Sequence, residues 1–274
     1  RTVTSIEYTE LDPLLFELLE KFSTNLTDHE LNDPRVSIKA MDGRHLLERS
    51  RKRFDLIMIG IEEPNDLQTN RFFTRDFFEL AKERLSPDGL FLIGLPGSLS
   101  YLNDELKDLN SCIYTSLEDV FSYIKVFPGE GNNLFLASES LDINSLKRAE
   151  LLENLKRNEV AAALSMPQAL NQRLHPRWQE WFSDVIENGR KEINKDHCPL
   201  GFVYDIAYWN SLYTPQLRWL FDTLKEVRLL QCMVLLLILL LLYLLIRRVK
   251  PNIFAASLPF SIGTTGFCGM VFTL

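Results

Sequence analysis

Cysteine, histidine and net positive charge are all scarce in this 274-residue chain. Cys112, Cys198, Cys232 and Cys268 stand far apart with no C-x-x-C pair, which argues against a structural zinc site and against a disulfide framework. A reducing compartment is the expectation for the water-soluble part. His29, His45, His175 and His197 are scattered without metal-ligand spacing, so no metal is expected. The net charge of −7 speaks against nucleic-acid binding, which needs a basic stripe. G-x-S-x-G, P-loop, H-E-x-x-H and G-x-G-x-x-G motifs are all absent. No signal peptide opens the chain at Arg1, and it stops at Leu274 inside an apolar stretch; both ends are read as cut from a larger protein.

What is present is an alternation of strand and helix. Val3 to Thr9 reads as a strand, and Asp12-Pro13 starts a helix with Leu14, Leu15, Leu18, Leu19 and Phe22 at helical spacing. Asn32-Asp33-Pro34 turns the chain into a second strand, Val36 to Met41, closed by Asp42-Gly43 and followed by a short helix at Leu46 to Arg49. Phe54 to Ile61 is almost wholly apolar, as in a strand covered on both faces of a parallel sheet. Thr74 to Leu85 is helical with Phe77, Phe78, Leu80 and Ala81 inward, and Ser86-Pro87-Asp88-Gly89 leads to a buried strand, Leu90 to Leu95. A helix at Tyr101 to Phe121 and a hairpin of Tyr123–Phe127 with Leu134–Ser138 complete the pattern. The expected fold class is α/β: a Rossmann-like, methyltransferase-type, mostly parallel sheet lacking its first strand, then a helical segment and transmembrane helices.

The tail is different. Leu229 to Ile246 carries no charge, and Gln231 is its one amide. As a helix it would be about 27 Å long, close to the ~30 Å hydrocarbon core of a bilayer. Arg247, Arg248 and Lys250 follow, then Pro251 and a second apolar stretch with Gly263, Gly266 and Gly269 three apart. The expected organisation is 1–140, an α/β domain; 141–226, a helical, aromatic-rich connecting segment; 227–250, a transmembrane helix with a basic flank; and 251–274, the start of a second one. Basic residues on the two sides of the first span are balanced, so the charge rule leaves the orientation open. Availability of a nucleoside co-substrate favours a cytoplasmic domain on an inner or plasma membrane.

Three strand ends hold acidic residues at the carboxyl edge, where open α/β sheets bind ligands. Glu10 can accept both hydroxyls of a ribose there, or be a plain solvated carboxylate. Asp42 can accept from an adenine amino group, and Gly43 lets the base approach the backbone; the alternative is a simple strand-to-helix turn. In Gly60-Ile61-Glu62-Glu63-Pro64 an acidic side chain can act as base for an amine nucleophile, although paired glutamates are ordinary in polar loops.

Ile6-Glu7-Tyr8-Thr9-Glu10-Leu11-Asp12-Pro13, Asp33-Pro34-Arg35-Val36, Met41-Asp42-Gly43-Arg44, Phe54 to Ile59, Glu63-Pro64 and Phe72-Phe73-Thr74 to Gly89 together resemble the spermidine/spermine synthase family of aminopropyltransferases. Leu95-Pro96-Gly97-Ser98 and Asn194-Lys195-Asp196 through Pro199, with Tyr204 and Trp209, resemble its membrane-fused branch. The resemblance implies that Glu10 holds the ribose of decarboxylated S-adenosylmethionine, a co-substrate and not a bound cofactor. It implies that Asp42 and Gly43 hold the adenine. The family's Asp-x-x-Asp-Pro loop reads Gly60 at its first Asp and Glu63 at its second, which leaves Glu63 as the catalytic candidate. The expected activity is aminopropyl transfer to a polyamine such as putrescine. A catalytically eroded nucleoside- or polyamine-sensing domain regulating a fused transporter, or an S-adenosylmethionine-dependent methyltransferase, are the alternatives. Expected partners are these small molecules and a lipid bilayer, with a homo-oligomer possible.

Overall fold

The computed structural model describes residues 3–145, 147–157 and 171–213, and within the tail only Val234, Leu237, Ile238 and Leu241. The chain runs β1 (Ile6–Glu10), α1 (Pro13–Lys21), α2 (Asn25–Leu31), β2 (Val36–Ala40), α3 (Gly43–Arg49), β3 (Phe54–Met58), α4 (Leu67–Asn70), α5 (Arg75–Arg84), β4 (Leu85–Gly97), α6 (Asp104–Glu118), β5 (Tyr123–Phe127) and β6 (Gly131–Ser138). A 3₁₀ turn at Ile143–Ser145 leads to α7 (Arg148–Arg157), and two more helices follow, α8 (Pro176–Asn188) and α9 (Leu200–Tyr213).

Short polar side chains start the helices. Asp12 accepts from Leu14 N ahead of Pro13, Thr24 forms a reciprocal capping box with Thr27, and Asp42, Thr74 and Asn103 cap α3, α5 and α6. The hairpin turns through Gly131, whose φ of 87° suits a residue without a Cβ.

The strands form a mixed arrangement in two pieces. β1 and β2 pair in parallel, Ile6 opposite Val36 and Glu10 opposite Ala40. The second piece has the order β3-β4-β6-β5, parallel between β3 and β4 and antiparallel in the other two pairs. This tempers the expectation of a mostly parallel sheet, because β6 fits between β4 and β5. Among the described residues nothing pairs with the second edge of β1 or of β3. Glu7 of β1 links the two pieces, paired with Lys39 at 2.9 Å and with Lys52 just before β3.

The core lies on the second piece. Phe77 and Phe78 of α5 meet Phe91 of β4 at ring separations of 6.3 and 5.4 Å, and Phe91 stacks on Phe121 at 5.8 Å. All three α5–β4 rings are fully buried, so truncating any one to Ala costs about 3–5 kcal/mol. The inward face read for this helix is borne out, with Leu80 packed half-buried at its margin. The segment expected to connect to the membrane also packs here: Phe182, Val185 and Ile186 of α8 and Tyr204 of α9 belong to the same cluster. Phe182 meets Phe135 of β6 at 5.9 Å.

Two burial expectations need correction. β3 is not covered on both faces: Ile57 is buried, but Leu56 and Met58 are 52% and 65% exposed. α1 forms as expected, yet Leu14, Leu15, Leu18 and Phe22 stay exposed. The cause is shared. No described element covers either surface, so helical period forms the helix without a surface to bury it. The predicted span Leu229–Ile246 and the stretch after it lie outside the described residues, apart from the four tail positions. Among the described residues no helix is long and apolar enough to cross a membrane.

Candidate active site at the carboxyl edge

Glu10 and the Asp42-Gly43 turn sit at the ends of adjacent parallel strands. Glu10 is the last residue of β1, half-buried, its Oε1 accepting from Asp12 N at 3.1 Å. Gly43 opens α3 immediately after β2, and a Cβ on it would lie 3.1 Å from Thr9 Oγ1. The missing side chain thus lets the start of α3 approach the end of β1. The structure brings Glu10, Asp42 and Gly43 to one edge, as the sequence suggested.

Asp42 is more occupied than its sequence implied. Oδ1 accepts from His45 N at 3.0 Å, and Oδ2 is paired with Arg71. Arg71 also lies over the Phe72 ring, 5.2 Å from its centroid. A base reaching this edge meets a carboxylate that already caps a helix and holds a guanidinium.

The loop after β3 supplies the second group. Ile59 N donates to Leu92 O at 2.9 Å, which carries the strand direction up to Gly60. Among the described residues, its chain neighbours aside, no atom lies within 4 Å of a Cβ built on Gly60, so the position is open there. Glu62 is exposed, Glu63 half-buried and Pro64 buried. The loop then enters α4 through the Asp66–Thr69 capping box.

Behind this edge a segment from far along the chain closes in. Arg44 donates to Asp196 Oδ1 and Oδ2 at 3.0 and 2.6 Å, and also to Arg71 O at 3.1 Å. Thr74 Oγ1 donates to Asp196 Oδ1 at 2.7 Å. Burial works against the Asp196 charge, but these hydrogen bonds prevail and hold its carboxyl below the ordinary range.

Sequence reasoning missed Asp205. It is 1% exposed on α9, and neither carboxylate oxygen meets a hydrogen-bond partner among the described residues. Burial, then the nearby charge of Glu63, push its carboxyl up to about 7. Burial, then the charges of Glu63 and Asp205, raise the Tyr208 phenol. The available signal was a lone acid in the otherwise apolar and aromatic run Leu200 to Trp209. The charge of Glu63 thus reaches a second carboxylate. Among the described residues no set of three His, Cys, Asp or Glu side chains fits a metal. Burial also raises the Cys112 thiol, which makes it an inert core residue.

The chain is similar to several known proteins. The polyamine aminopropyltransferase of Prochlorococcus marinus AS9601 is 24% identical over 162 residues, 58% of this chain and 57% of that protein. The spermine synthase of Saccharomyces cerevisiae is 26% identical over 150 residues, 52% of this chain and 49% of that protein. The chain thus spans about half the length of these relatives. Among solved structures, a spermidine synthase in complex with the transition-state analogue AdoDATO superposes with a TM-score of 0.45 at 21% identity, covering 62% of this chain and 61% of that one. Human methyltransferase-like protein 13 in complex with SAH gives 0.43 at 20% identity, covering 62% and 71%. The model of the spermine/spermidine synthase domain matches residues 1–144, more than half the chain and every strand of both sheet pieces, so this chain belongs to that family.

Proposed function

We propose that this chain transfers an aminopropyl group from decarboxylated S-adenosylmethionine to a polyamine such as putrescine, as part of a membrane-anchored protein. The observation that carries the reading is Glu10 beside Asp42-Gly43 on adjacent strand ends, within the region matched to the family. Glu10 would accept the ribose hydroxyls and Asp42 the adenine amino group. The amine lone pair attacks the carbon next to the sulfonium. The N–C bond forms as the C–S bond breaks, its electron pair neutralises the sulfur, and the thioether departs as 5′-methylthioadenosine. The amine must reach this carbon unprotonated, and Glu63 is the carboxylate of the loop that can take its proton.

The tail supports anchoring. Val234, Leu237, Ile238 and Leu241 are helical, fall three and four apart, and are each about half exposed. In a bilayer that apolar face would meet lipid. The α/β part would then sit on the cytoplasmic side of an inner or plasma membrane, where a nucleoside co-substrate is made.

A second reading is a nucleoside- or polyamine-sensing domain without catalysis. Gly60 favours it, because the loop lacks the family's first carboxylate.

The test is mass spectrometry of the full chain in nanodiscs with decarboxylated S-adenosylmethionine and a panel of amines, and in parallel with S-adenosylmethionine itself. An aminopropylated amine that disappears in Glu10→Ala is the expected result. Nucleoside binding without product moves the assignment to the sensor, and a methylated product overturns it in favour of a methyltransferase. Resistance of the chain to alkaline carbonate extraction from membranes is expected, and release into the supernatant would end the anchoring proposal.

A further inference from the structure

The course of α9 is set at both of its ends. Asn70, the last residue of α4, accepts at its Oδ1 from Phe202 N and from Asn194 Nδ2, both at 3.0 Å. Asn194 Oδ1 accepts from Gly201 N at 3.1 Å, and Asn194 N donates to Ser116 Oγ, near the end of α6, at 2.8 Å. A Cβ on Gly201 would fall 2.7 Å from Asn70 Oδ1, so the helix can begin this close only with glycine there. At the other end Asn103, the cap of α6, donates through Nδ2 to Ser211 Oγ at 2.8 Å. The start of α9 is thus tied beside the end of α6, and its end beside the start of α6. The two helices run antiparallel, and α9 finishes at the loop that leaves β4 at its carboxyl end. β3 and β4 are parallel, so the Gly60 loop leaves the sheet on the same side.

This finish is aromatic and uncovered. The Trp209 and Tyr213 rings stack at 5.7 Å with planes 6° apart, and Tyr208 lies 5.6 Å from Trp209. Tyr213 is 74% exposed, and Leu212 beside it is exposed as well. Tyr101, also 74% exposed, stands two residues before Asn103, in the loop bonded to Ser211. That loop is held in place: Leu99 and Leu102 are buried, and Leu99 N donates to Glu130 Oε2 at 2.8 Å.

The chemistry of the face and the sequence beyond it select what covers it. Trp and Tyr rings pair an apolar body with a polar edge and are favoured at the level of lipid headgroups. Residues 214–228 join Tyr213 to the uncharged run Leu229–Ile246, and a link of that length reaches at most about 50 Å. Asp104 and Glu130 at the margin of the face argue against attraction to an anionic surface, so the rings themselves make the contact. We propose that the end of α9 and the loop before α6 form an aromatic rim that rests among the headgroups of a lipid bilayer, which turns the carboxyl edge of the sheet toward the membrane surface. Tethering of this rim by the tail rests on the anchoring reading; contact of the rings with lipid does not.

The test places the environment-sensitive fluorophore NBD on single cysteines of the full chain: Tyr101→Cys, Tyr213→Cys and Asp88→Cys. Cys198, Cys232 and Cys268 are replaced by Ala, and the buried Cys112 is left. Asp88 is exposed near the opposite, amino end of β4 and serves as the control. The chain is reconstituted into neutral phosphatidylcholine vesicles in which part of the lipid carries a nitroxide headgroup. Quenching at positions 101 and 213 is expected to exceed that at position 88 about threefold or more. If one labelled variant does not fold, the other decides, because each leaves the remaining rings in place. Quenching at 101 and 213 no stronger than at 88 overturns the rim. If alkaline carbonate releases the chain but the stronger quenching at 101 and 213 persists at neutral pH, the anchoring reading falls and the rim stands. If the chain resists extraction and all three positions are quenched alike, the rim falls and the anchoring reading stands.

Discussion

Arg44 and Asp196 are 152 residues apart in sequence and meet through two charge-assisted hydrogen bonds of 3.0 and 2.6 Å. The Arg44 side chain is mostly buried, the Asp196 side chain only partly. The pair therefore fastens the late segment against the turn that carries Asp42-Gly43. Asp196→Ala would remove the carboxylate that accepts both bonds and leave the Arg44 guanidinium with the more exposed Glu48 at 3.6 Å. In a double-mutant cycle with Arg44→Ala, a coupling of about 1–2 kcal/mol is expected, less than for a fully buried pair because solvent reaches Asp196. Urea unfolding followed by tryptophan fluorescence measures it, and additive single effects would show that the pair is incidental.

Gly60→Asp is expected to raise aminopropyl transfer. Among the described residues, chain neighbours aside, nothing lies within 4 Å of the new Cβ, so the carboxylate enters without disturbing the loop. A positioned general base contributes about 10²–10⁴-fold, and an engineered one rarely reaches the full value. A gain of about tenfold in kcat with little change in KM for the nucleoside is the expected outcome, read from product formation over time. A folded variant with unchanged kcat would mean that proton removal does not limit this chain.

Asp205 gives the fold a specific pH dependence. Its carboxyl moves from an ordinary 3.8 to about 7 on folding, through burial first and the charge of Glu63 second. Between about pH 4 and pH 7 the folded chain keeps a proton that the unfolded chain has released. Raising the pH through that window therefore costs stability, by a few kcal/mol in total, and the loss is complete above about pH 7. Glu7, Glu139 and Asp196 act in the opposite sense, since partners lower their pKa values and their contribution is lost as pH falls. The comparison that isolates Asp205 is wild type against Asp205→Asn. Their unfolding free energies should be similar near pH 4 and diverge in favour of the variant by pH 8. Parallel pH profiles would show that Asp205 ionises normally.

Much of this arrangement is readable from local signals. Asp12-Pro13 and Thr74 announce helix starts through side chains that satisfy their own neighbouring amides, so the sequence alone locates them, whereas α3 begins at Gly43, three residues before the Leu46 read from the sequence. The Tyr123–Ser138 hairpin and the inward face of α5 are legible for the same reason. Glu10 and Asp42 at adjacent strand ends follow from the parallel pairing of β1 with β2. What was not legible is long-range. Nothing near Asp42 points to Arg71, and nothing near Arg44 points to Asp196. α2 was missed because its seven residues carry a capping box but no strong apolar period. Asp205 reads as an ordinary acid in the sequence, because only the packing of α9 against α6 and α4 buries it.

The family match stops at residue 144, but the cooperative unit does not. Asn194 is completely buried, and besides its bonds to Asn70 and Gly201 it donates to Phe73 O at 3.0 Å and, through its main-chain N–H, to Ser116 Oγ at 2.8 Å; its own carbonyl accepts from Arg75 N at 2.8 Å. A chain cut at the family boundary would surrender all of these at once and bare the Phe135 face that Phe182 covers. Residues 171–213 therefore cannot be exchanged as a neutral linker behind the family-matched region. They are built into the body of the domain, and a shift of α9 reaches α4, the helix after the Glu63 loop, through Asn70.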